Sequence, residues 1–112
     1  MRPVSVGKSL TAATATTLYT VPTSYYARCV LLHASNNGGS NKHISFNWYD
    51  ASSGLTIPIT TEYTLSAKTT LAEIDLNQYI VLEEGDYISA ISETGSTISV
   101  IATFEIEGAQ RL

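Results

Sequence analysis

Thr97-Ile98-Ser99-Val100-Ile101-Ala102-Thr103-Phe104-Glu105-Ile106-Glu107 is the stretch that decides the fold. Successive side chains on a strand point to opposite faces. Ile98, Val100, Ala102, Phe104 and Ile106 therefore share one face, and Thr97, Ser99, Thr103, Glu105 and Glu107 share the other. Ile101 is the one apolar residue in the polar row. An alternation this regular predicts an antiparallel strand with one buried face. The residues before it predict two more such strands: Tyr79 to Leu82 and Tyr87 to Ser92, separated by the turn Glu83-Glu84-Gly85-Asp86 and followed by Thr94-Gly95.

Working back toward the N-terminus, strands and turns continue without a helical pattern. His43 to Asp50 places Ile44, Phe46 and Trp48 on one face and Ser45, Asn47 and Tyr49 on the other, which assigns Trp48 to the core and Tyr49 to the surface. Leu55 to Thr61 alternates around Pro58, a residue that cannot donate to a ladder and so belongs to a sheet edge or a bulge. Thr17 to Val21, Tyr26 to Ser35 and Leu71 to Leu76 read as further strands, and Asn36 to Asn41 as the strongest loop. Val4 to Leu10 is either a first strand or part of an extended arm over residues 1–10. Turn signals recur about every ten residues, the spacing of a sandwich or barrel. The expected fold is an all-β, antiparallel, jelly-roll-like sandwich of about eight strands with no substantial helix. An immunoglobulin-like sandwich is the rival, without its paired cysteines.

The 112 residues suit a single domain with a self-sufficient core. Charged residues make up 14%, against roughly 25% in an average globular domain, and 15 Thr with 13 Ser fill the difference. Isolated β-domains use surface charge to prevent edge pairing. A hydroxyl-rich exterior instead tolerates being covered by protein or glycan. The net charge of −4 and six scattered basic residues oppose phosphate binding, so no nucleic-acid partner is expected. No segment approaches the ~20 apolar residues of a membrane helix, so no membrane partner is expected either.

The candidate chemistry is thin. Cys29 is the single cysteine, so it has no disulfide partner within the chain, and its surroundings suit a small buried hydrophobe. Glu83 and Glu84 point opposite ways at a turn, and Glu105 and Glu107 share a strand face without a cue for a raised pKa. His33 and His43 flank the Asn/Gly loop and could meet across a hairpin, yet two histidines do not close a zinc site. The acids of Asp75-Asn77 and Glu83-Asp86 lack the spacing of a calcium loop. No catalytic residue, metal or cofactor is expected, and the chain reads as a non-enzyme. Among the aromatics, Tyr25 and Tyr26 at a strand entry and Tyr49 on an outer face are candidates for a protein interface or a sugar platform. Ile101 is the residue a neighbour is expected to cover.

Thr17-Leu18-Tyr19-Thr20-Val21-Pro22, the strand ending Leu32-His33-Ala34-Ser35-Asn36, the segment Tyr79 to Asp86 and the closing Val100 to Glu107 resemble small virion structural proteins of tailed bacteriophages. The resemblance spans about Thr16 to Glu107. It implies a β-sandwich subunit packed in copies on a virion after synthesis in the host cytoplasm. It further implies a capsid decoration or cement role, with the major capsid protein or other virion proteins as partners and a homo-oligomer, by analogy a trimer. A neck, tail or fibre component, including a receptor- or carbohydrate-binding module, is the alternative.

Overall fold

The computed structural model describes residues 2–108, and within them every regular element is a strand. The nine strands are β1 (Arg2–Leu10), β2 (Thr16–Thr20), β3 (Tyr25–Asn36), β4 (Lys42–Asp50), β5 (Leu55–Leu65), β6 (Thr70–Ile74), β7 (Ile80–Leu82), β8 (Tyr87–Ile91) and β9 (Ile98–Gly108). The chain pairs from its ends inward like one long hairpin: β1 with β9, β2 with β8, β3 with β6 and β7, and β4 with β5. Rolling that hairpin adds the pairs β3–β9 and β4–β8. The result is two antiparallel sheets, β1-β9-β3-β6 with β7 also on β3, and β2-β8-β4-β5. This is the jelly-roll sandwich expected from the strand pattern, with nine strands where about eight were expected.

The first segment is a sheet strand, because β1 pairs with β9 from Arg2↔Ile106 to Leu10↔Ile98; of the arm proposed for residues 1–10, Met1 lies outside the described residues. The five inner-face residues of β9 are all buried. They meet Leu32, Ala34, Ile44, Phe46 and Ile88, and the Tyr19 and Phe104 rings pack across the sandwich with centroids 5.1 Å apart. Trp48 is half-buried against this core. Pro58 lies on β5, an edge of its sheet, where the register shifts and Glu62 takes a left-handed φ of 44°. Bulges and proline blunt an edge against further pairing.

Two irregularities prepare the surface. On the β9 side of β3 the register slips between Cys29 and Leu31, so Val30 is an extra residue and both Val30 and Leu31 turn outward between the inward Cys29 and Leu32. On its other side β3 pairs with β7 over Ala27 to Cys29 and with β6 from Leu32 onward. No strand pairs Val30 and Leu31 there, and the connection 75–79 between β6 and β7 passes the gap.

Candidate interaction surface

The outer face of the β1-β9-β3-β6 sheet is largely self-satisfied. Ser5 and Thr103 share a hydrogen bond of 2.9 Å, Arg28 Nη2 donates to Glu105 Oε1 at 2.7 Å, and the Tyr26 hydroxyl donates to the Glu107 carboxylate. That last bond raises the Tyr26 pKa and lowers that of Glu107. Ile101 stands in this row 55% exposed, as its place in the alternation requires. Tyr25, at the start of β3 opposite Gly108, is also exposed. Tyr49 lies on the other sheet and stacks on Tyr87 with centroids 4.8 Å apart. The four candidate residues therefore do not form one patch: Tyr26 and Ile101 share a face, Tyr25 is at its end, and Tyr49 is on the opposite side.

The sequence pattern missed a third region. The gap beside Val30 and Leu31 opens into a recess of about 460 Å³, walled by Arg28 and residues 75–79. Tyr79 is exposed there, its ring 5.2 Å from the Arg28 guanidinium carbon, and Leu76 at 85% is the most exposed large apolar residue described. Val81 extends the apolar surface along β7. Nothing local announces this arrangement, since the strand after Tyr79 is only three residues long and the recess depends on two register shifts in β3 and β6.

The other polar residues that the sequence singles out lie in separate places in the fold. Cys29 is fully buried, and burial pushes its thiol up to about 12, far from the thiolate a nucleophile needs. His33 and His43 do not meet across a hairpin, because β3 and β4 belong to different sheets. His43 Nε2 instead lies 2.9 Å from Glu93 Oε2, with Lys42 Nζ 3.5 Å from the same carboxylate. Glu83 and Glu84 are exposed, as expected of turn residues. Asp86, however, is buried. Its Oδ1 accepts from Ala51 N at 2.9 Å, and its Oδ2 from Glu83 N at 3.0 Å and Trp48 Nε1 at 3.3 Å. Among the described residues no group of three His, Cys, Asp or Glu side chains is arranged to hold a metal.

Fold and surface together define a jelly-roll β-sandwich in which, among the described residues, the exposed large apolar side chains lie on one sheet face and on the β5 edge. No family model matches this chain, and no curated protein sequence matches it. Its fold is similar to that of a solved chain from Bacillus endospore appendages, described as a novel family of disulfide-linked pili. The TM-score is 0.56 at 12% identity, covering 97% of this chain and 87% of that one.

Proposed function

We propose that this chain is a non-enzymatic structural subunit used in many copies, and that its assembly is the virion of a tailed bacteriophage. There it decorates the capsid and bridges neighbouring major capsid subunits, with a homotrimer as the working unit. The observation that carries the reading is the surface itself. Charged side chains such as Arg28, Glu105, Glu107, Lys42 and Glu93 are tied up in local pairs, while Leu55, Ile57, Tyr63, Leu76, Val81 and Ile101 are left to solvent. Apolar exposure marks a contact surface where it is clustered, and here Leu55 and Ile57 fall on one side of β5 while Leu76 and Tyr79 line one recess. Gold-labelled antibody on purified particles is expected to decorate capsids, and particles stripped of the protein are expected to lose heat and osmotic resistance. Labelling of the neck or tail, or unchanged resistance, defeats the cement role. A monomeric mass at micromolar concentration defeats the trimer.

A second reading, a subunit of an extended surface appendage, is favoured by the likeness of the fold to an appendage subunit. Disulfide linkage through Cys29 does not fit it, since the thiol sits in the core. Native protein at pH 8 is expected to leave Cys29 unmodified by a thiol reagent over hours and to react fully once unfolded in guanidinium. Rapid native labelling, or a dimer on a non-reducing gel, would reinstate the disulfide.

A further inference from the structure

We propose that the recess between β3 and the β6–β7 connection binds a neutral polyhydroxylated ligand, a mono- or oligosaccharide. Its volume of about 460 Å³ falls within the range of roughly 300–1,000 Å³ typical of small-ligand sites. The floor is aliphatic, from Val30 and Leu31, and one wall is the exposed Tyr79 ring, which carries the Arg28 guanidinium over one face and offers the rest of its surface to the C–H face of a sugar. Around these stand planar hydrogen-bonding groups: the carboxylate of Asp75 and the carboxamides of Asn77 and Gln78. Gln78 Oε1 already accepts from Asp75 N at 3.2 Å, which holds the side chain and leaves its NH₂ to donate. An apolar floor, one aromatic face and several planar donors and acceptors match the alternating C–H and O–H surfaces of a pyranose.

Other ligand classes fit less well. The cation at the recess, Arg28, is paired with Glu105 at 2.7 Å and rests near the Tyr79 ring, while Asp75 adds negative charge, so an anion is not favoured. A peptide added as a strand would need a continuous edge, and the break between β7 and β6 spans only Val30 and Leu31. The site lies beyond the assembly reading and does not depend on it. In a multi-copy assembly, a weak site per subunit would add up through avidity.

The test uses the full chain on a glycan array, followed by amide NMR titration with each scoring sugar. The amides of Val30, Leu31, Asn77, Gln78 and Tyr79 are expected to shift together. Binding is expected to weaken about tenfold or more in Tyr79→Ala and Gln78→Ala, as loss of one stacking or hydrogen-bonding partner implies. Tyr79→Phe, which keeps the ring, and Tyr49→Ala, on the other sheet, are expected to bind as the parent. A silent array, shifts centred elsewhere or undiminished binding by Tyr79→Ala overturns the proposal. So do concentration-dependent shifts of the same amides without sugar, which would assign the recess to a contact between copies. Oligomeric mass and particle location are separate measurements, so failure of the sugar site leaves the assembly reading standing.

Discussion

Two acidic turns only a few residues apart have opposite fates. Glu83-Glu84-Gly85-Asp86 ends on an aspartate and Asp75-Leu76-Asn77-Gln78 begins on one, and each contains a residue with left-handed φ, 85° at Gly85 and 62° at Asn77. The first is a clamp. Beyond the three donors on its carboxylate, Asp86 accepts from Val21 N through its carbonyl at 3.0 Å, and Gly85 N donates to Val21 O at 2.9 Å. The β2–β3, β4–β5 and β7–β8 connections thus converge on one buried residue. The second turn is bound mainly to itself, by Gln78 N to Asp75 O and by the Gln78 side chain, and its apolar residue faces water. An aspartate in a turn does not by itself make the turn a clamp; the number of other connections brought to it does.

The sharpest way to break this contrast is to remove both carboxylates. Asp86→Ala strands three N–H donors in a buried site and is expected to cost about 3–4 kcal/mol, since each unsatisfied buried donor costs roughly 1–3. On a domain of this size the melting temperature should fall by about 10–20 °C. Asp75→Ala is expected to stay within about 0.5 kcal/mol, as for surface changes in general. Equal losses in the two variants would show that the β6–β7 turn is also a clamp.

A second closed loop tests whether the convergence principle holds beyond Asp86. Buried Asn36 donates through Nδ2 to Ser40 O at 2.9 Å and Leu65 O at 3.0 Å, and its Oδ1 accepts from Gly38 N at 3.0 Å and Thr97 Oγ1 at 2.7 Å. Gly38 is required by close approach, because an added Cβ would lie 2.2 Å from Thr97 Oγ1. Gly38→Ala should therefore cost about 1–3 kcal/mol, typical of overpacking, by denaturant titration. Adding Thr97→Ala should recover part of the loss rather than sum with it. Strict additivity would mean that the two residues do not share the space.

How much of this was legible follows the same division. The inner row of β9, the outward Ile101, the edge position of Pro58 and the burial of Cys29 each depend on a single strand and its period, and the residues carry them. The depth of Asp86 depends on three remote connections, and beside Gly85 it reads as an ordinary solvated turn acid. The recess at Tyr79 arises where a bulge at Val30 coincides with the change of partner from β7 to β6. Bulges replace alternation with two residues on one face, so the pattern that reveals strands conceals this site.

The smallest expected effect concerns Glu73, the bulged residue of β6 just before the open turn. Its Oε1 is buried without a hydrogen-bond partner, and desolvation raises its pKa. A carboxyl whose pKa is raised by folding holds its proton more tightly in the native state than in the unfolded chain. Stability therefore falls as pH rises from the ordinary glutamate value of about 4.3 through the higher native one. Glu73→Gln removes that loss, so the variant should melt slightly higher than the parent at pH 7 and equally with it near pH 3. In the clamp all three partners of the Asp86 side chain are N–H donors, so Asp86→Asn, whose NH₂ cannot accept from them, should melt lower than the parent. If Glu73→Gln instead lowers the melting temperature at neutral pH, the charged carboxylate has a native partner and the β6–β7 arm is more tightly closed than its exposed turn implies.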